Sequence, residues 1–514
     1  MSSVTLIEVE TRSGWRYFAD TGGIVIGRQP YDPRVEATGG YFRHLFAPTA
    51  TLGPGAAEAK PVLLANADRA LDGLHRAVDG RRIVIRNGER LADGRPSGDI
   101  DDYPVTFQGR IETARFPGDS VELAVLSRQT AISEGLVTDV RFDGTATSGG
   151  AGVGGNAELA GKPLPLLVGT AFNFAPPYGN AFDYVLCVSR GWPGHSASIT
   201  AVRDAGVALT PGMARATLAA LLAASPASGE YDWYSGDDGT WIKLGAKPAG
   251  AVKVDATEGG GRTVARVAEF LLSMSPEVST VNGVALMDSR APWPAGRWIG
   301  PEDTALGVAL EEALRGVGSW TDDLSGGGVT LRFWDVPQAP VQDIAEWEVL
   351  DDNIELLSSN DAGGGSPIRE VLVGYRRNYS PDEAGTLDSA VDTDVASLLG
   401  EEWSIEPASD PDVLAANPLA QTLRLDTALA TAEGAAAIAA HHLDLRKAGI
   451  DIYRAPLPTS RVGADIGQSV TIASNRFGLS QPVPAVCGVL GRDTTGRRVE
   501  DISQTDLILW RPTP

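Results

Sequence analysis

Short β-type runs, broken at close intervals by glycine and proline, set the limits on what this chain can fold into. Val4–Glu10, Gly23–Gly27 and Arg81–Arg86 mix strict alternation with β-branched residues, the signature of strands with one buried face. Val105–Arg115 and Ser120–Leu126 repeat it on either side of Pro117-Gly118-Asp119, a turn signal. Asn87-Gly88 reads as a second turn, and one short helix is expected over Asp68–His75. An antiparallel barrel or sandwich follows for the first 150 residues.

The whole composition agrees with that local reading. The 514 residues include 60 Gly and 33 Pro and are 43% hydrophobic, which describes a globular, turn-rich, β-rich protein. At roughly 150 residues per domain, three or four domains are expected. The fold class predicted is mainly β with α+β insertions, in which antiparallel tube-like barrels carry peripheral α+β domains. Residues 1–150 form the first barrel-like domain, 155–260 an α+β/β domain and 261–345 a helix-helix-hairpin unit. A β-rich tube-like domain over 346–514, with a helix at 431–447, completes the chain.

Local signals place the joints. Ser148–Gly155 reads as a linker, and strands are expected near 165–174, 183–189 and 198–209, then a helix at 213–224 stopped by Ser225-Pro226. Gly259-Gly-Gly261 breaks the chain before helices at Thr263–Ser273 and Ala305–Val317. A hairpin around Gly326-Gly-Gly328 leads into Val329–Trp334. Arg369–Arg376 alternates clearly, the acidic segment 381–412 reads as a long, mobile surface excursion, and Thr431–Lys447 is an Ala-rich helix.

No apolar run reaches the ~18 residues of a membrane span, and no basic-then-apolar leader is visible, so synthesis in the cytoplasm is expected. Cys187 and Cys487 lie in separate apolar runs and read as reduced core residues. The net charge of −23 is the wrong sign for gripping phosphate backbones.

Motifs that carry chemistry fail on context. Gly150–Gly155 matches GxGxxG but lacks the strand before and the helix after that a dinucleotide needs. Gly259–Thr263 lacks the phosphate-loop lysine. His441 and His442 are adjacent on a helix, about 100° apart, and cannot chelate one ion together, so they read as partly exposed structural histidines. His195 has no nucleophile-elbow spacing. Asp99–Asp102 and Asp237-Asp238 fit Asx-type turns, with a calcium site the alternative. Trp192, Trp233, Trp241 and Trp320 read as core or interface anchors, with sugar stacking the alternative. No catalytic, cofactor-binding or metal residue is therefore assigned, and no cofactor.

Longer stretches carry a resemblance. Leu159–Gly169, Ile199–Leu209, Ala214–Pro226 and Thr240–Gly250 occur, in order and spacing, much as in large prophage-encoded tail proteins. Pro61–Leu74 with Asp79–Arg86, Phe107–Glu112 and Val121–Gln129 continue it, as do Leu310–Trp320 with Gly328–Arg332. Asp465–Ile472 with Asn475–Leu479 is similar to the closing β-domain of tail hubs. The chain thus resembles the prophage and siphophage tail-tip (baseplate) hub family, also found in gene transfer agents. That resemblance implies a structural, non-enzymatic protein at the virion tail tip, assembled in the host cytoplasm. It implies a homotrimer whose six barrels match a ring of distal tail protein, with tape-measure protein and tail fibre or receptor-binding proteins as further partners. DNA would pass through an acidic channel without specific binding. The rivals are a tail-associated cell-wall hydrolase and a peripheral receptor-binding protein.

Overall fold

The computed structural model describes residues 3–147, 152–324, 327–350, 353–383, 385–480, 483–499 and 502–513. Strand accounts for 41% and helix for 17%, so the chain is mainly β, in several sheets with a nearly closed antiparallel barrel.

The N-terminal sheet runs Gly14–Ala19, Ser3–Thr11, Arg82–Glu89, Val105–Arg115, Ser120–Ser127, Val62–Ala65 and Val35–Ala37. Alternation drives it: in Ser120–Ser127, Val121, Leu123 and Val125 point inward onto Ile7, Ile83, Ile85 and Phe107. The expected turn at Gly118 is present, with φ +64.

Between two of these strands the chain leaves the sheet. Gly39 (φ +70) marks the exit, where a Cβ would lie 2.2 Å from the Pro61 carbonyl as the chain returns. The excursion supplies Tyr41–His44 and Ala56–Ala59 to a sheet built from the other end of the molecule. That second sheet runs Gln342–Ile344, Ser469–Ile472, Ala485–Val499, Ile502–Pro512, Ile450–Pro458 and Glu355–Leu357. Ala485–Val499 is long enough to pair antiparallel with both Ser469–Ile472 and Tyr41–His44.

Two five-stranded sheets face each other in the middle of the chain. Leu166–Phe174 and Val252–Glu258 lie in one, Val185–Ser189 and Gly239–Leu244 in the other. Leu167, Phe174, Leu186, Val188, Ile242 and Val254 fill the space between them. The largest core binds distant segments: helices Val264–Leu272, Leu306–Leu314 and Ala432–Arg446 pack together with strand Ile368–Tyr375.

Several local expectations are corrected. Asn87-Gly88 is no turn but lies inside strand Arg82–Glu89, where Asn87 is buried and bonds Thr5 and Thr106. Asp68–His75 holds only a 3₁₀ turn, Asp72–Leu74. The helix expected at 213–224 is confined to Leu218–Leu222, because Thr210–Ala214 is drawn into parallel pairing with Glu230–Gly236. Only Val25–Ile26 of the Gly23–Gly27 run is strand. The excursion at 381–412 contains helix Thr393–Gly400, strand Ser404–Ser409 hydrogen-bonded to Ile368–Tyr375, and the start of helix Pro411–Ala416. Its acidic residues cap those helices: Asp392 accepts from the Asp394 amide and Asp410 from the Asp412 amide. Of the linker and GxGxxG run, residues 148–151 lie outside the described residues; Val153 packs on a core and the Gly155 amide bonds Gly179. Gly326 of the expected hairpin turn also lies outside them.

Candidate functional site: the seam between the chain ends

The seam is the pairing of Tyr41–His44 with Ala485–Val499. Its register sets Tyr41 opposite Thr494, Arg43 opposite Arg492 and His44 opposite Gly491. Gly491 is required there, since a Cβ would sit 2.5 Å from His44 Nδ1. The His44 Nε2 in turn lies 2.5 Å from the Asp493 carboxylate.

Arg43 points inward, where an aliphatic residue would be ordinary. Its guanidinium donates to Asp322 Oδ1 at 3.2 Å, to the Asp322 carbonyl at 2.5 Å and to Asp465 Oδ1 at 3.1 Å. Arg492 adds a second cation to Asp465, at 3.6 Å. Burial opposes charge on Asp465, but Arg43 and Arg492 outweigh it and hold the carboxyl below its ordinary value. For Arg43, burial is again opposed, this time by Asp322 and Asp465, which keep the guanidinium charged. One buried cluster thereby ties the N-terminal excursion, strand Gly318–Asp322 and the loop before Ser469–Ile472.

Two further arginines fasten neighbouring parts. Arg128 donates to the carbonyls of Glu277, Asp323, Gly327 and Gly328, tying the segment after Ser127 to that turn. Arg446, on the last long helix, reaches Asp361 at 3.5 Å and the Thr51 carbonyl at 3.3 Å, while Asp361 accepts from the Thr51 amide. These residues are far apart in sequence. The one local signal was an arginine at an inward position of Tyr41–His44.

The edge beside this seam is open. Gln342–Ile344 pairs, among the described strands, only with Ser469–Ile472. Around it Trp347 is 76% exposed and Val341 58%. The opposite edge, Glu355–Leu357, carries the exposed Leu356.

Residues weighed for chemistry are placed in structural roles. His442 is buried, which corrects the expectation of partial exposure; its Nε2 donates to the Gly316 carbonyl at 2.6 Å, and burial pushes its pKa down to about 3. His441 bonds the Trp334 carbonyl. His195 is buried against Trp192 and bonds Thr240 at 2.8 Å, and burial lowers it to about 4. Asp99 accepts from the Asp101 amide as an Asx turn, and Asp237 accepts from the Gly194 amide. Cys187 and Cys487 are free and buried, and burial pushes both thiols up, Cys487 to about 12. Trp241 and Trp320 are buried, and Trp192 and Trp233 pack against cores. Among the described residues no group of three or more His, Cys, Asp or Glu is placed to hold a metal ion, and no helix is long and apolar enough to cross a membrane.

No family model matches the chain, and no curated protein sequence does. Solved structures do. The chain is similar to a tail protein from Neisseria meningitidis MC58, at 10% identity and TM-score 0.43, over 99% of this chain and 97% of that one. It is similar to the 43 kDa tail protein of prophage MuSo2 from Shewanella oneidensis, at 9% identity and TM-score 0.41, over 99% and 98%. It is also similar to a chain of a native gene transfer agent particle, at 15% identity and TM-score 0.38, over 68% and 85%.

Proposed function

We propose that this chain is a structural protein of a phage-like tail, the hub that caps the tail tube at its tip. The reading rests on the sequence resemblance to tail hubs, which runs through most of the chain. The observation that carries it furthest is the second sheet, completed by a strand from the first hundred residues, locked by buried ion pairs and left with an open edge flanked by the exposed Val341 and Trp347. Exposed strand edges and large apolar side chains are what a subunit seam covers. In this proposal three copies close a ring, each seam heterologous and returning on itself after a 120° rotation. The two flanking β regions then face the distal tail protein, and residues 155–345 lie outside. Tape-measure protein and fibre or receptor-binding proteins are the further neighbours. An acidic inner wall, drawn from the −23 balance, lets DNA pass without sticking.

Imaging of the assembled particle tests this directly. Three copies around an acidic channel at the tube's end are expected; one or six copies, or an arginine-lined channel, would overturn the hub. A second assay separates the hydrolase rival. The purified protein is expected to leave peptidoglycan and host polysaccharide intact relative to buffer, and lysis abolished by a single Asp or Glu substitution would replace this reading with an enzymatic one.

A further inference from the structure

An open cleft of about 410 Å³ lies against Gly14–Ala19, the edge strand of the N-terminal sheet. Trp15, Arg16 and Phe18 of that strand line it, with Gln29, Asp32 and Leu71. The Trp15 ring is exposed. Further arginines flank the cleft. Arg12 adjoins Ser13 in the hairpin turn and Arg69 adjoins Ala70, while the Arg12 amide donates to the Ala77 carbonyl and so brings Arg76 alongside. Arg12, Arg16, Arg69 and Arg76 are exposed, and none makes an ion pair among the described residues. The neighbouring carboxylates are already held. Asp32 and Asp68 each lie 2.6 Å from Arg34, Glu10 pairs with Arg81, and Asp72 accepts from the Asn66 side chain.

The complementary surface is on the same chain. Between Arg377 and Arg424 stand ten Asp and Glu and no Lys or Arg. Asp382 is taken by Lys253 and Glu402 by Arg377. Asp394 and Glu401 are exposed and make no ion pair among the described residues. Helix Thr393–Gly400 anchors its buried Leu399 at the turn of Gly206, where a Cβ would lie 3.6 Å from Leu399 Cδ1. Val395 and Leu398, three residues apart and so neighbours on the helix, stay exposed. Asp394 stands four residues before Leu398 and Glu401 three after it, so two carboxylates bracket the apolar pair.

We propose that helix Thr393–Gly400 of one copy seats against the Trp15 cleft of the next. The indole covers Val395 and Leu398, while Arg12 and Arg16 face Asp394 and Glu401. Charge selects the occupant: arginines without carboxylates call for an acidic face, and this face has no cation of its own. The two patches differ, so the contact is heterologous, as a closed ring requires. The inference rests on the tail reading only in taking copies of the chain to meet, and both patches lie in the flanking β regions that reading puts in the ring.

Sedimentation velocity of the full chain over a concentration series tests it. Self-association is expected at about 50 mM salt and is weakened at about 500 mM, since exposed charges are screened. Arg16→Glu and Glu401→Arg are each expected to weaken it about tenfold, and the two together to recover most of that loss. Glu401→Arg is the sharper variant, because it lowers the net negative charge and general repulsion alone would then strengthen association. Arg95→Glu, reversing an exposed arginine outside the cleft, is the charge control for Arg16→Glu. Should Arg16→Glu fail to fold, Arg12→Glu takes its place. Single variants without effect, a double variant no better than the singles, or no association up to about 100 µM would overturn the contact. Three copies in the imaged particle together with any of those results would leave the hub standing and remove this contact alone. Displacement of the partner copy by a short single-stranded oligonucleotide would make the cleft a nucleic-acid site instead.

Discussion

The Arg43 guanidinium meets the Asp322 carboxylate at 3.2 Å across 279 residues of chain, with both side chains 4% exposed. Removing one partner of such a pair leaves the other buried and uncompensated. Arg43→Met is therefore expected to cost about 3–5 kcal/mol in denaturant unfolding, because Asp322 loses its cation and Asp465 is left with Arg492 alone. A double change, Arg43→Met with Asp322→Leu, is expected to recover part of that loss. Equal stability of Arg43→Met and the natural chain would mean that the seam does not lock the two ends.

The same cluster sets an acid limit. Asp465 has a folded pKa below its ordinary value of 3.8, so the stability it contributes is fully present above that value. It is lost as pH falls through the lower, folded value. The histidines act over a different window. His442 titrates at 6.5 in the unfolded chain and about 3 when folded, so between those values the unfolded chain holds the extra proton. Stability is expected to fall as pH drops from about 6.5, by up to about 1.4 kcal/mol per pH unit for this residue. His442→Gln keeps a donor for the Gly316 carbonyl and is expected to flatten that limb in unfolding measured from pH 7 to 4. An unchanged slope would count against a neutral, buried His442.

Much of the local structure was legible because it depends on local rules. The Ala-rich stretch read as Thr431–Lys447 is a helix over Ala432–Arg446, capped by the Thr431 hydroxyl accepting from the Gly434 amide. Ser120–Leu126 alternates and is a strand with one buried face. What was not legible depends on distant partners. Nothing within Tyr41–His44 says that its partner strand lies some 450 residues later, and Met213-Ala214, expected as the start of a helix, belong to an edge pairing seen only in three dimensions.

Gly88 separates a turn glycine from a packing glycine. It looked like half of an Asn-Gly turn, yet a Cβ there would lie 2.4 Å from the Asp102 carbonyl and 2.6 Å from the buried Tyr103 ring. Gly88→Ala is expected to cost about 1–3 kcal/mol by forcing that backbone apart. Gly73, with nothing within 4 Å of its Cβ position, is the matched control. Gly73→Ala is expected to be neutral or to stabilise by about 0.4–1 kcal/mol through the unfolded state. The two unfolding midpoints, compared side by side, check the assignment.

Trp347 tests the open edge. At 76% exposed it contributes little to the fold of one copy, so Trp347→Ser is expected to shift unfolding by no more than about 0.5 kcal/mol. If the edge at Gln342–Ile344 is where copies meet, the same change removes the largest apolar side chain from the seam and should weaken self-association. Val341→Ser, on the same edge and 58% exposed, is expected to act in the same direction. Ile405→Ser is the control, since Ile405 is also exposed, at 48%, but on the sheet containing Ile368–Tyr375. Mass measurement in dilute solution across a concentration series reads all three. Association lost in the first two variants and kept in the third places the seam at this edge, whereas equal association in all three moves the contact elsewhere on the molecule.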